Sequence, residues 1–279
     1  MAVRSDDILE KKEIAGPTMA EQADRHELYE ASVQNVEEEC RFITNTFKAL
    51  RGREPQSLRE DFCGTASAAC HWITLGPERV AIGVDFDPEV LDWGRKNRLS
   101  RLTAEEQSRV KLIESDVLDV STEQVDAVGA MNFSYWIFQT RPLMIQYFSQ
   151  IREALKDDGL FFLDAFGGYE SMEEMKEKTK YENFTYVWDQ ARYSPVSGEM
   201  ECHIHFKFPD KSKLKKAFSY TWRLWTLPEI KELLLEAGFR NPTVYWEGTD
   251  KDGEGDGVFT PDDRGEADAG WIAYIVAEK

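Results

Sequence analysis

Between residues 20 and 50 the apolar positions Leu28, Val33, Val36, Phe42, Ile43, Phe47 and Leu50 recur at the spacing that gathers side chains on one helical face. That spacing predicts two helices, preceded by a polar, aperiodic stretch over residues 1 to about 20 that reads as a frayed end. From about Ser57 to Phe166 the pattern changes to short apolar runs separated by helical stretches. The runs are SLREDF, RVAIGVDF, VKLIESDV, VDAVGAMNF and GLFFLDAF. Among the intervening helices, DPEVLDWGRKN opens with Asp87 placed to cap it and Pro88 at the first helical position. Alternation on this scale predicts βαβ units and a mostly parallel, twisted α/β sheet with right-handed crossovers and helices on both faces.

The alternation stops at Gly167-Gly168. A charged segment, SMEEMKEKTKYE, reads as a helix. The aromatic, alternating stretches NFTYVWDQARYSPVSGEMECHIHFKF and KLKKAFSYTWRLW, punctuated by Pro195, Gly198 and Pro209-Asp210, read as antiparallel hairpins. Thr226-Leu-Pro-Glu229 is a capping box for the helix EIKELLLEAGF, with Gly238 placed to end it. A strand, PTVYWEG, an acidic loop over residues 249–269 and a last strand, WIAYIVAEK, complete the chain, which contains no internal repeat.

Composition narrows what such a fold does. With 34 Lys+Arg against 52 Asp+Glu in 279 residues, the formal charge of −18 repels polyanions and disfavours nucleic acid as a partner. No apolar run reaches the roughly 18 residues of a membrane helix, and MAVRSDDILEKKE lacks a secretory apolar core, so neither a membrane nor export is expected and the chain reads as cytoplasmic. Cys40, Cys63, Cys70 and Cys202 form no CxxC and read as reduced thiols, without a disulfide scaffold or structural zinc.

Open α/β sheets bind ligands beyond the carboxyl ends of their strands, so the residues that end each run carry the candidate chemistry. The first run ends Arg59-Glu60-Asp61-Phe62-Cys63-Gly64-Thr65-Ala66 and leads into the helix ASAACHWITLG, where small residues let the backbone approach a ligand. The second ends in Asp85, a carboxylate able to accept both hydroxyls of a ribose; the third in Asp116-Val117, which can read an adenine edge; the fourth in Asn132-Phe133.

In order and spacing, EDFCGTA, GVDF, ESDV and VDAVGAMNF resemble the class I S-adenosylmethionine-dependent methyltransferases, over roughly residues 25–279. That family carries an acidic-x-Gly-x-Gly-x-Gly pattern after its first strand. This chain has Glu60, Phe62, Gly64 and Ala66 at those places, so only the middle glycine is kept. The resemblance implies a Rossmann-like methyltransferase fold over residues 51–167 and 221–279, closed by an antiparallel hairpin, with N-terminal helices over 1–50 as a lid and residues 168–220 as an inserted substrate cap. It implies S-adenosylmethionine as cofactor, held by Tyr29, Arg59, Glu60, Cys63, Gly64, Thr65, Ala66, Asp85, Phe86, Asp116, Val117, Asn132 and Phe133.

Methyl transfer from a sulfonium is an in-line displacement with a neutral leaving group, so alignment and exclusion of water matter more than a catalytic triad. A base is needed only if the acceptor must lose a proton. Residues expected over the carboxyl edge are Tyr135 and Trp136 and the aromatic insertion, which supplies Tyr193 and His205 as further catalytic candidates. His203 and His205 share one face of a strand and read as structural, substrate-facing or metal-binding. Tyr193, Trp222 and Arg223 could cradle a cation or simply pack the cap. Asp250-Lys-Asp252-Gly-Glu254-Gly-Asp256 resembles the start of a calcium loop, but its twelfth place is Pro261 where a bidentate Glu is required, so no metal is expected.

The reading is methyl transfer to the nitrogen or oxygen of a small molecule. A nicotinamide oxidoreductase is the alternative, weakened by the absent GxGxxG, and a non-catalytic nucleotide-binding module is the third. A homodimer through the inserted antiparallel strands is a further expectation, since a long aromatic edge is a liability unless covered.

Overall fold

The computed structural model describes residues 16–249, 251 and 255–279. The first part of the N-terminal stretch and the acidic positions Asp250, Asp252 and Glu254 of the calcium-like segment lie outside the described residues. In chain order the elements are α1 (Met19–Gln22), α2 (Arg25–Ser32), α3 (Val36–Arg51), β1 (Ser57–Asp61), α4 (Ser67–Thr74), β2 (Val80–Asp85), α5 (Pro88–Asn97), α6 (Ala104–Ser108), β3 (Val110–Glu114), β4 (Val125–Ala130), α7 (Arg141–Ala154) and β5 (Leu155–Gly167). They continue with β6 (Met175–Lys180), β7 (Thr185–Tyr193), β8 (Glu199–Lys207), β9 (Lys213–Arg223), α8 (Leu227–Glu236), β10 (Arg240–Thr249), β11 (Gly255–Pro261) and β12 (Trp271–Glu278).

β1 to β5 are parallel and occupy one side of an eight-stranded sheet ordered β11-β10-β12-β5-β4-β1-β2-β3, with β12 antiparallel to β5 and to β10. The order steps outward through β2 and β3, then returns to the other side of β1 for β4. That reversal opens a crevice at the carboxyl ends of β1 and β4. Alternation along the strands feeds two cores. Val84, Val128 and Phe161 meet Tyr147, Phe148 and Ile151 of α7 and Leu233 of α8. Ala81, Ala127 and Phe162 meet Ile43 and Phe47 of α3 and Trp72 of α4.

A separate four-stranded antiparallel sheet, β6-β7-β8-β9, stands over the carboxyl edge. Its inner face buries Ile204, Phe206 and Ala217 against Ala20 of α1, Leu28 of α2 and Val33 just after α2. Three helices form where two were expected, because Thr18, at the end of the stretch read as frayed, caps α1, and Asp24 caps a second start, α2, within the periodic stretch.

The segment expected as a charged helix is instead a short 3-10 turn (Tyr169–Met172) followed by the edge strand β6, paired residue for residue with β7. Glu, Lys and Met favour a helix locally, but the unpaired backbone edge of β7 takes six residues of ladder bonding and outweighs tenths of a kcal/mol per residue of propensity. The strand's Lys176, Lys178 and Lys180 are of the kind that blunt edge-to-edge association. The acidic loop likewise contains β11, paired antiparallel with β10. Asp87, Pro88 and the Thr226–Glu229 capping box stand where their residue types predict.

Candidate active site

A cavity of about 600 Å³ lies over the carboxyl ends of β1, β2 and β4, under α2 and the strand β9. Its floor is the turn from β1 into α4, where Phe62, Gly64 and Ala66 all have positive φ (57°, 52° and 58°). Left-handed geometry costs a non-glycine residue roughly 1–2 kcal/mol. Phe62 recovers this by packing on Phe138 and Tyr147, with ring centroids 6.1 and 5.8 Å away, so an aromatic side chain can stand where the resembled pattern has glycine.

Carboxylates dominate the floor. Ala66 offers α4 no side-chain cap, and Glu60 supplies one instead by accepting from Ala69 N at 2.9 Å. Asp85 accepts from Gly64 N at 2.8 Å and Asp87 N at 3.0 Å, tying the end of β2 to the β1 turn, and burial raises its pKa. Glu39, from the first turn of α3, lines the same cavity and is 8% exposed. Burial pushes Glu39 up to about 7 and Glu60 up to about 8. Neither forms an ion pair among the described residues, although Arg25, His26 and Lys216 line other parts of the same cavity, so burial holds both carboxyls toward their neutral form.

Of the residues singled out from sequence, Tyr29, Glu60, Cys63, Gly64, Thr65, Asp85, Phe86 and Asn132 line this cavity. Ala66 is buried behind it at the head of α4, and Phe133 lines the neighbouring chamber. Others are placed elsewhere. Arg59 alternates to the opposite face of β1, where it is buried and donates to Asp61 at 2.7 Å, with Tyr147 Oη donating to the same carboxylate. Asp116 turns back to accept from Leu118 N at 2.9 Å, and neither it nor Val117 lines this cavity or the neighbouring chamber, because the loop after β3 folds over the α7 side. The catalytic candidate Tyr135 is fully buried, and its hydroxyl donates to Asp164 O at 2.7 Å, so it reaches neither chamber. Tyr193, on β7, also lines neither.

His205 is placed by strand alternation. On β8, Ile204 points inward to the chamber, which sends His203 and His205 to the outer face of the cap. There His205 bonds Asp189 at 3.0 Å and accepts from Lys216 N at 2.9 Å, while His203 meets Ser219 and Glu201. Asp189, also paired with Lys176, knits β6, β7 and β8 together.

A second chamber of about 510 Å³ adjoins the first beneath the cap. Tyr29, Asn132, Tyr220 and Trp222 line both and form the passage between them. Asn132 and Phe133 are both left-handed, with φ of 58° and 57°. Asp164, in β5, accepts from both of their backbone N–H groups at 2.8 and 2.9 Å and locks that turn; burial pushes its carboxyl up to about 7. Tyr29 packs on Phe218 at 4.8 Å, and α2 is latched to the main sheet by Glu30, which pairs with Arg98 and accepts from Thr65 Oγ1 at 2.5 Å.

Sequence reasoning missed Glu39 and Asp164. A signal existed for each: Glu39 alone of Glu37-Glu38-Glu39 shares the inward face with Ile43 and Phe47, and Asp164 is a lone acid in an apolar run. Among the described residues no cluster of His, Cys, Asp and Glu could hold a metal ion, all four cysteines are buried and free, and no helix is long and apolar enough to cross a membrane.

No protein-family model and no curated protein sequence matches the chain. Solved structures do. An S-adenosylmethionine-dependent methyltransferase from Clostridium acetobutylicum superposes with a TM-score of 0.66 at 13% identity, over 91% of this chain and 96% of that one. An amino pentose methyltransferase of calicheamicin biosynthesis from Micromonospora echinaspora, solved with S-adenosylmethionine bound, gives 0.64 at 16% identity over 91% and 95%. A sugar N-methyltransferase from a Streptoalloteichus species gives 0.61 at 16% identity, over 100% of this chain and 98% of that one. The chain has the Rossmann-like fold of the S-adenosylmethionine-dependent methyltransferases, with an antiparallel sheet inserted.

Proposed function

We propose that this protein transfers the methyl group of S-adenosylmethionine to the nitrogen or oxygen of a small-molecule acceptor. The observation that carries the reading is the pair of adjoining chambers, a carboxylate-lined one at the strand ends and an aromatic one under the cap, meeting at Tyr29, Asn132, Tyr220 and Trp222. Structural neighbours that methylate amino pentoses and sugars support a small acceptor.

The residues fit the cofactor. Glu39 and Glu60, buried without a basic partner, suit its cationic end. Asp85 keeps free lone pairs for the ribose hydroxyls, and Phe86, 70% exposed at the lip, offers a flat face to the purine. When bound, S-adenosylmethionine supplies a methyl group on a sulfonium, which departs as a neutral thioether. The chain's own contribution is alignment: Asp164 holds the Asn132–Phe133 turn at the passage, and Tyr29, Tyr220 and Trp222 wall it from water.

Calorimetric titration with S-adenosylhomocysteine and, separately, NADH tests the reading. The thioether is expected to bind and NADH not to, with Asp85→Ala weakening the thioether at least ~30-fold through loss of charge-assisted hydrogen bonds. No binding of the thioether by the wild-type protein, or preferential binding of NADH, overturns it.

A further inference from the structure

We propose that the chamber beneath the cap selects an ammonium-bearing acceptor, an amine on an apolar body, over an alcohol or an acid of the same shape. The inference rests on the methyl-transfer reading for its chemistry and on the chamber walls for its specificity.

Three aromatic rings stand together on the inner face of the cap. Tyr220 and Trp222 stack with centroids 4.4 Å apart and planes 22° apart, and Trp188 lies 6.2 Å from Trp222 at 33°. Trp222 is 3% exposed, packed by Tyr220, Trp188, Phe133 and Trp136, whereas Tyr220 and Trp188 are only partly buried and border the roughly 510 Å³ that remains open. The charged residues lining the chamber are Glu170, Glu177 and Glu247, and no Lys, Arg or His lines it. None of the three is ion-paired among the described residues, and Glu247 accepts from the backbone N–H of Gly257 at 2.9 Å. Ring faces and carboxylates both attract a cation. A carboxylate ligand would face three like charges, and a neutral hydroxyl would gain little from either feature.

The chemistry points the same way. Transfer to an alcohol requires a strong base, and the groups here cannot supply one: burial raises the Tyr29 and Tyr220 phenols, and both histidines of the cap are on its outer face. An amine has only to lose its ammonium proton, which a rim carboxylate can accept and pass to water. The freed nitrogen lone pair then forms the N–C bond while the C–S bond breaks, its electron pair going to sulfur and the positive charge to nitrogen.

The test titrates 4-phenylbutylamine, 4-phenylbutanol and 4-phenylbutyrate, three probes sharing one body, into protein saturated with S-adenosylhomocysteine, at low and high salt. The amine is expected to bind at least ~10-fold tighter than the alcohol, with the acid weakest and the margin narrowing in high salt. Two variants confirmed as folded by their unfolding transitions, E170Q/E177Q and Trp188→Leu, are each expected to shrink the margin. Alcohol or acid binding as tightly as the amine, or a margin untouched by both variants, overturns the proposal. Thioether binding is read in its own titration. If it fails, the methyl-transfer reading falls, and the same probes titrated into the free protein still decide the chamber's preference.

Discussion

Replacing Glu39 by Gln is expected to stabilise the free protein at alkaline pH while weakening its hold on a cationic ligand. Glu39 is 8% exposed, and burial holds its carboxyl at about 7 against an ordinary 4.5. In the unfolded chain the same group ionises near 4.5, so between there and about 7 the unfolded state releases a proton that the native state retains. The sign follows from that difference: the group costs the fold nothing below the unfolded value, and stability is lost as pH rises to the folded one. The full loss is about 3 kcal/mol, which for a chain of this size moves the unfolding temperature by roughly 6–12 °C. Gln has the same shape and does not ionise. Thermal unfolding of both proteins near pH 5 and pH 8.5 is therefore expected to show a small gap at the lower pH and Glu39→Gln unfolding several degrees higher at the upper. Adding S-adenosylhomocysteine should raise the wild-type transition more than the variant's, because the ionised carboxylate then gains its partner. A gap that does not grow with pH, or equal stabilisation of both proteins by the thioether, refutes the reasoning.

Other variants test neighbouring steps of the argument. Tyr135→Phe removes the 2.7 Å bond to Asp164 O and is expected to cost about 1 kcal/mol of stability with turnover unchanged; lowered turnover at unchanged stability would give the phenol a direct role. Arg59→Leu strands Asp61 as a buried charge and should cost about 3–5 kcal/mol in denaturant unfolding, most of it recovered in R59L/D61L; no recovery would show that the pair is needed for more than mutual neutralisation. Gly94→Ala sets a Cβ 2.4 Å from Thr65 O, so the turn under the first chamber must shift, and calorimetry should show weaker thioether binding; unchanged affinity would mean the turn does not define that site.

The strand ends were legible in the chain because each is a local pattern. An apolar run ending in Asp85, or in Asn132-Phe133, names its own place at the carboxyl edge of a parallel sheet, and the cap of α5 and the capping box of α8 are read from adjacent residues. Glu39 was less legible because three consecutive glutamates look alike until the helix is docked. The directions in which Tyr135 and His205 point were not legible for a related reason: the side of a strand or turn that meets the chamber depends on what packs against it.

By itself the sequence determined the period of each segment, and with it the parallel sheet, the antiparallel insertion and the carboxylates at strand ends. Only the tertiary structure decided what those segments face. It made the helix-favouring residues 175–180 an edge strand, because the backbone of β7 needed a partner. It also brought Glu39 beside Glu60, and Trp188 beside Trp222, across separations that no local pattern spans. Propensity acts between neighbours in the chain, whereas a cavity is bounded by residues that only packing brings together.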